Sequence, residues 1–434
     1  MRLPPPYDHA EGGRRTTERN WAGNLAFAGR VATPRDVDEV RALVRDARPG
    51  SVRPLGTRHS FSPIADTRGT LVSSAGLADP SDVVVAPDRA SARVPAGIRY
   101  GELARVLHAK GLALANLASL PHISVAGAVA TGTHGSGVRN GSLATAVRAV
   151  EFVDGTGELV VLRRGDAAFD GAVVALGALG IVVALDLDVE PGFEVAQTVY
   201  RDLPLDALLD AFDEATSIGY SVSLFTTWRE PDVVDQLWLK RRVDRDGEAP
   251  ASVLGARPSP IEMHPIAGVD AASSTPQRGV AGPWLERLPH FRLEFTPSAG
   301  EELQSEYLVP RATAIEAIRA VRELALDLRP LLHVTELREI AADGLWLSGA
   351  SGTNAVGLHF TWVADQPAVE AMLPRLEERL LPLGARPHWG KVFLADAERL
   401  APLYPRFDDF RALARTHDPD GVFVNDFLRA KLAL

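Results

Sequence analysis

The stretch that most constrains the fold of this chain spans residues 119–137, with the sequence SLPHISVAGAVATGTHGSG. Between Gly127 and Gly137 it holds four glycines, three hydroxyl residues and no carboxylate. Backbone N–H groups and hydroxyls donate hydrogen bonds, and the missing Cβ atoms let a ligand approach closely. The shorter stretch PLGTRHS at residues 54–60 has the same character. Both patterns predict loops that cradle phosphate groups, although glycine-rich stretches are also typical of ordinary turns.

The composition excludes several classes of partner and site. The 434 residues suffice for two or three domains, and the net charge of −10 without a basic run argues against nucleic acid or an anionic membrane as partner. Because there is no cysteine, disulfides and thiolate metal sites are excluded. Residues 1–13 lack an apolar signal-peptide core, and no run of about 18 apolar residues occurs. We therefore expect a cytoplasmic protein without a membrane segment.

Familiar catalytic motifs are missing. His122 and His134 lie in the glycine-rich region without an H-E-x-x-H pattern, so no metal site is predicted. There is neither a G-x-S-x-G motif for a serine hydrolase nor a G-x-G-x-x-G motif for a Rossmann dinucleotide site.

The sequence pattern changes near residue 190. Before it, strands and helices alternate at short intervals, which indicates a compact α/β or α+β unit. Helices are predicted at residues 37–47 and at residues 100–110, the second closed by Gly111, and Asp154-Gly155 predicts a β-hairpin. From about residue 193 to 335 the sequence is Pro-rich and irregular, with helices predicted at 205–215 and 311–328, and we interpret it as a second domain. Residues 244–278 are long enough for a lid or a partner contact.

Two predicted strands of the second half carry polar residues at a spacing of two. Glu336 and Arg338 share one face of the first strand, and His359 and Thr361 share one face of the second. Leu358, on the opposite face of the second strand, is apolar like its neighbours on that face. If the strands pair, the polar groups form a surface suited to hydrogen-bonding a polyhydroxylated molecule; a solvated sheet face with an ion pair is the alternative.

Lysine is rare in this chain. Only four of the 46 basic residues are lysines, namely Lys110, Lys240, Lys391 and Lys431. Lysine loses its proton when it is desolvated or placed beside another cation, whereas arginine stays charged. Lys391, in the segment RPHWGKVF, is therefore a candidate for proton handling.

Several motifs in one order resemble the flavin-dependent oxidases of the vanillyl-alcohol oxidase type, and among them the bacterial alditol oxidases. The resemblance covers nearly the whole chain, through NWAGN, PLGTRHSF, SLPHISVAGAVATGTHGSG, VTELREIAADGLWLS, GLHFTW, RPHWGKVF and HDPDGVFVNDFL. It implies an α+β fold with an FAD-binding domain of two subdomains, formed by residues 1–190 with the returning segment 391–434. A substrate domain with a mainly antiparallel sheet would span residues 191–390.

The resemblance also implies the cofactor site. His59 matches the histidine to which the family links FAD covalently, and a covalent link raises the potential of the flavin and prevents its loss. The other residues expected to line the cofactor are Leu55, Gly56, Thr57, Arg58, Ser60, Ser119, Ser124, Gly127, Ala128, Val129, Ala130, Ile181 and His388.

The implied reaction is oxidation of the C1 hydroxyl of a polyol such as xylitol or sorbitol, with hydride transfer to flavin N5 and reoxidation by O₂ to hydrogen peroxide. Lys391 and Arg338 would act on the reacting hydroxyl. Substrate would be bound by Ser119, Glu336, Arg338, His359, Thr361 and Lys391. An aldonolactone oxidase or dehydrogenase of the same family is the alternative, and a non-catalytic flavin or sugar-phosphate binder is a third. We expect a monomer.

Overall fold

Two sheets and a strand pair form the first half of the chain in the computed structural model, which describes residues 18–295 and 302–434. Residues 1–13, in which the sequence analysis finds no apolar signal-peptide core, lie outside the described residues. A three-stranded parallel sheet has the order β1-β3-β2 and a five-stranded antiparallel sheet the order β4-β5-β9-β7-β8. Strands β6 and β10 pair with each other. The bounds are β1 (Arg30–Ala32), β2 (Val52–Leu55), β3 (Thr70–Ser73), β4 (Val84–Val85), β5 (Ser91–Pro95), β6 (Leu112–Ala113), β7 (Val147–Asp154), β8 (Leu159–Arg163), β9 (Gly180–Asp188) and β10 (Glu190–Pro191).

The helices predicted for this half are present. Asp36 caps the first of them by accepting a hydrogen bond from the N–H of Glu39, and the apolar face of that helix buries Val40 and Val44. The second predicted helix ends at Ala109, and Gly111, which follows its C-cap Lys110, has a φ of +69° that favours glycine. The hairpin predicted at Asp154 joins β7 to β8. The helices are α1 (Val37–Arg45), α2 (Tyr100–Ala109), α3 (Val125–Ala130) and α4 (Phe169–Val173).

One large sheet dominates the second half, with the order β14-β11-β13-β12-β17-β18-β16-β19 and β15 paired to β11. All of its pairings are antiparallel, which confirms the expected fold class. The bounds are β11 (Glu194–Pro204), β12 (Ser221–Thr226), β13 (Val233–Arg242), β14 (Arg257–Pro258), β15 (Ala281–Pro283), β16 (Glu302–Pro310), β17 (Leu332–Ile340), β18 (Ala355–Val363) and β19 (Arg386–Pro387).

The prediction that residues 193–335 are irregular was wrong. Six of the strands in the large sheet, β11 to β16, lie in this part of the chain. They carry buried polar residues such as Gln197, Ser223 and Lys240 among their apolar residues, because the sheet face opposite the helices is polar yet shielded from solvent. A strand of this kind lacks the alternation of apolar and exposed polar residues that reveals a half-buried strand.

Helices cover the apolar face of the large sheet. Leu337, Leu358 and Phe360 of the central strands pack against helical residues that include Leu208 and Leu373. Since side chains alternate along a strand, the residues between these apolar ones point to the other face. The helices are α5 (Leu205–Asp210), α6 (Phe212–Thr216), α7 (Ala314–Glu323), α8 (Ala325–Leu328) and α9 (Gln366–Leu380).

The C-terminal segment returns to the first half of the chain. Phe410 and Leu428 belong to the same hydrophobic cluster as Leu103 and Phe152. The buried guanidinium of Arg53 donates hydrogen bonds to the carbonyls of Ile64, Leu176, Gly177 and Phe423, so it ties β2 to three other segments of the chain. No helix in residues 18–295 or 302–434 has the length and apolar character needed to cross a membrane. The helices are α10 (Ala397–Leu400), α11 (Phe407–His417) and α12 (Asp426–Leu432).

Candidate active site

One cavity of about 610 Å³ collects nearly all the residues that the sequence analysis singled out. Loops of the first half form one side of it, and the polar face of the large sheet forms another. Val129 does not line the cavity, because its side chain packs in the core. The cavity is lined by Leu55, Gly56, Thr57, Arg58, His59, Ser60, Ser119, Ser124, Gly127, Ala128, Ala130, Ile181, Glu336, Arg338, His359, Thr361, His388 and Lys391.

The two glycine-rich stretches meet at the start of α3. The N–H of Ser124 donates to the hydroxyl of Thr57 at 3.1 Å, which ties the loops together. A Cβ atom on Gly56 would lie 2.6 Å from Ser124 Oγ, and one on Gly127 would lie 2.8 Å from it, so a side chain at either position would displace that hydroxyl. Ser124 Oγ is itself buried without a hydrogen-bond partner among the described residues. A tight concavity with an unused hydroxyl fits an elongated phosphate-bearing cofactor.

His59 lies partly buried on the wall of the cavity. Its ring stacks on Trp21 with the centroids 5.6 Å apart, and its Nδ1 lies 3.1 Å from the Thr57 hydroxyl oxygen. Burial, followed by the charges of His122 and Arg99, lowers the pKa of His59 to about 4. The imidazole is therefore neutral at physiological pH and keeps a lone pair for bond formation.

Glu306, on β16, is the hub of the polar end of the cavity. Its carboxylate is 1% exposed, and it accepts hydrogen bonds from Lys391 Nζ and from Arg338 Nη2, each at 2.7 Å. Its Oε1 also lies 3.2 Å from His134 Nε2. Burial alone would raise the pKa of Glu306, but the charges of Lys391, His134 and Arg338 hold it well below the usual range. Glu306 thus remains an anion that anchors two cations.

Lys391 faces the cavity, and its pKa is lower than that of a free lysine. Burial is the main cause and Arg338 adds to it, while Glu306 acts in the opposite direction. The sequence analysis named Lys391 as a candidate for proton handling, and its environment in the structure disfavours the ammonium form. The neighbouring Gly390 accepts a hydrogen bond from the N–H of Phe61 at 2.7 Å, which fixes this segment against the loop that carries His59.

The pairing of β17 with β18 brings the predicted polar residues together. Glu336 lies directly opposite His359 in the register, and its carboxylate Oε2 is 3.5 Å from both Arg338 Nε and His359 Nδ1. Arg338 Nη1 lies 3.4 Å from Ser119 Oγ. Because Glu336 is only 4% exposed, the alternative of a solvated sheet face does not hold. His359 Nε2 has no hydrogen-bond partner among the described residues and so can bind a ligand.

Sequence reasoning missed several groups of this site. His134 was considered only as a metal ligand, but it contacts Glu306. Glu306 lies in a strand that was not predicted. The signal available in the sequence was its position as a carboxylate directly before the apolar run Tyr307-Leu308-Val309. His290 donates from Nε2 to Glu336 at 2.9 Å and follows an irregular segment that offers no pattern.

The segment 244–278, whose role the sequence left open, contributes to a wall of the cavity. His264, Ile266 and Val269 line it. No group of three or more His, Cys, Asp or Glu side chains in the described parts of the chain has the arrangement of a metal site.

Comparison with known proteins identifies relatives of both halves. The family profile of an FAD-binding domain matches residues 28–163, and that of D-arabinono-1,4-lactone oxidase matches residues 300–431. An alditol oxidase from Streptomyces sp. is 50% identical over 95% of this chain and 98% of its own length. An L-gulono-1,4-lactone dehydrogenase from Mycobacterium tuberculosis is 28% identical over 95% and 98%. The crystal structure of cholesterol oxidase from B. sterolicum has the same fold, with a TM-score of 0.75, 15% identity and 99% coverage of both chains.

We predict that Glu306→Gln destabilises the protein most near neutral pH. The pKa of Glu306 is lower in the folded than in the unfolded chain, so its stabilising contribution is complete above about pH 4.3 and is lost as the pH falls further. At pH 7 the free energy of unfolding should fall by about 3 kcal/mol, because two buried cations lose their partner.

Denaturant unfolding of both proteins from pH 7 down to acid measures this difference. The matched control is Glu323→Gln, which removes an exposed carboxylate paired with Arg379. A difference between wild type and Glu306→Gln that stays constant or widens in acid would contradict the assignment.

Proposed function

The chain belongs to the alditol oxidase family of FAD-binding oxidoreductases, and from this premise we propose that it oxidises the C1 hydroxyl of polyols such as xylitol and sorbitol to the aldehyde. The balanced reaction consumes the alcohol and O₂ and yields the aldehyde and hydrogen peroxide. One observation carries the proposal. A single cavity contains the two glycine-rich loops, two cations anchored on Glu306, and several side chains able to bind hydroxyls.

When bound, the flavin of FAD supplies the two-electron acceptor that takes a hydride from C1 and is reoxidised by O₂. The residues of this chain act on the hydroxyl proton. Burial lowers the pKa of Lys391 and so makes its neutral amine accessible. In that form Lys391 accepts the proton from the C1 oxygen and becomes the ammonium that Glu306 stabilises. The Arg338 guanidinium stabilises the negative charge that develops on that oxygen.

The remaining polar groups orient the substrate. Glu336 accepts hydrogen bonds from hydroxyls, while His359 Nε2 and the hydroxyls of Thr361 and Ser119 offer further partners along the cavity. A misplacement of the reacting C–H by about 1 Å costs on the order of a hundredfold in rate, so these groups govern which polyol reacts.

An aldonolactone is the second candidate substrate. The match of residues 300–431 to the D-arabinono-1,4-lactone oxidase profile favours it. A lactone is cyclic and has fewer hydroxyls than an open-chain polyol, so it would leave part of the polar surface of the site unpaired.

Anaerobic titration of the purified protein separates the two substrates. We predict that xylitol and sorbitol bleach the visible absorbance of the flavin, and that an aldonolactone reacts at least about 100-fold more slowly, because a site built to bind hydroxyls discriminates strongly against their absence. Stopped-flow spectroscopy measures the rates, and peroxide formation in air reports the use of O₂. Faster reduction by the lactone would favour the second candidate, and no reduction by either would refute both.

We further propose that His59 links FAD covalently. The neutral imidazole, its orientation by Trp21 and Thr57, and its place on the cavity wall support this. The resemblance also leads us to propose that residues 1–190 and 391–434 bind FAD and that residues 191–390 bind the substrate.

We predict that the flavin stays with the wild-type protein after acid precipitation and that His59→Ala releases it into the supernatant. Absorbance of the pellet and the supernatant measures the two fractions. His122→Ala, which removes a nearby imidazole that does not line the cavity, is the control. A wild-type pellet without colour would refute the covalent link.

A further inference from the structure

Lys240 is a buried lysine that does not line the cavity. It lies on β13, is 1% exposed, and its Nζ contacts the carbonyl oxygens of Leu288 and Pro289 and the Nδ1 atom of His290, the last two at 3.0 and 3.1 Å. An ammonium group has three hydrogens to donate, and it has three acceptors here. Every donor of Lys240 is therefore used.

His290 connects Lys240 to the cavity. Its ring is 5% exposed and packs edge-on against Trp238 and Phe225, with the centroids 5.1 and 5.6 Å apart. This packing fixes the plane of the imidazole, so that Nδ1 faces Lys240 and Nε2 faces Glu336 Oε1 at 2.9 Å. Ser223 Oγ lies 3.4 Å from the same Nε2.

These contacts determine where His290 carries its proton. A neutral imidazole has one N–H and one acceptor nitrogen. Because Lys240 donates to Nδ1, the hydrogen of His290 lies on Nε2, where the Glu336 carboxylate accepts it. Burial lowers the pKa of His290 to about 4 and that of Lys240 to about 7, so below about pH 7 the positive charge of the pair resides on the lysine.

The bond from His290 in turn orients Glu336. One carboxylate oxygen, Oε1, is occupied by His290, while the contacts of Oε2 within residues 18–295 and 302–434 are those of 3.5 Å to Arg338 and His359. Oε2 is therefore the oxygen available to hydroxyl groups in the cavity. Loss of the His290 bond would free the carboxylate to rotate and to pair more closely with Arg338.

We propose that Lys240 and His290 are positioning residues for polyol oxidation: Lys240 holds His290 as the Nε2–H tautomer, and His290 holds Glu336 with one oxygen directed at the substrate. This inference rests on the proposed function for the role of Glu336. The relay itself is a property of the protein that can be tested without substrate.

The first test is the tautomer of His290 in the flavin-loaded protein. In protein labelled with ¹⁵N-histidine, long-range ¹H–¹⁵N correlation spectra distinguish Nε2–H from Nδ1–H, and His290→Gln identifies the signals of this residue. The wild type should show the Nε2–H form. In Lys240→Met the lost donor should give a population of the Nδ1–H form; unchanged His290 signals would overturn the relay.

The second test is the rate at which xylitol reduces the flavin without oxygen. Lys240→Met should raise the xylitol concentration for half-maximal rate about tenfold or more, with the flavin content unchanged, because Glu336 would no longer be held in the orientation that positions the substrate. Lys110→Met, at an exposed lysine, is the control. A variant that shows the altered tautomer but binds xylitol like the wild type would overturn the role of Glu336 positioning.

Variants of His290 keep the proposal testable if Lys240→Met does not fold. His290→Gln retains an N–H group that reaches toward Glu336, whereas the shorter His290→Asn does not. The Gln variant should therefore bind xylitol at least about tenfold more tightly than the Asn variant, as expected for a hydrogen bond to a charged group, and equal affinities would contradict the inference. If no polyol reduces the wild-type flavin, the proposed function fails, and the spectra still decide whether the relay exists.

Discussion

The buried carboxylate of Glu306 is the constraint on which the polar end of the cavity depends. Moving a carboxylate out of water costs several kcal/mol, and the cost is offset here only because Lys391 and Arg338 each donate to it at 2.7 Å. The same carboxylate holds both cations at fixed positions facing the cavity. It joins β16, β17, the segment after β19 and, through His134, the glycine-rich loop.

The polar and cofactor sides of the cavity are coupled through the backbone. The segment that carries Lys391 is tied to the His59 loop by the Phe61–Gly390 hydrogen bond, and Thr57 ties that loop to the start of α3. The glycine-rich loops therefore cannot move far without moving the segment that carries Lys391. This coupling matters in an oxidoreductase, because the group that accepts the hydride and the group that accepts the proton must both contact the same carbinol group.

Much of this arrangement could be predicted from the sequence, because some signals are local. The spacing of two in Glu336/Arg338 and His359/Thr361 predicted one shared face, and the rarity of lysine drew attention to Lys391. Glu306 and His290 could not be found in this way. Glu306 gains its role through the pairing of β16, β17 and β18, and His290 reaches Glu336 from the segment between β15 and β16. Polar residues on a shielded sheet face leave no periodic pattern. The irregular appearance of residues 193–335 has the same cause.

The most direct test of the central claim, that Lys391 anchored by Glu306 removes the hydroxyl proton, is the rate of anaerobic flavin reduction by xylitol in Lys391→Met. With Lys110→Met as the control, the account predicts a fall of about 10²- to 10⁴-fold with FAD still bound, as expected for the loss of a general base. A rate equal to that of the wild type would contradict it.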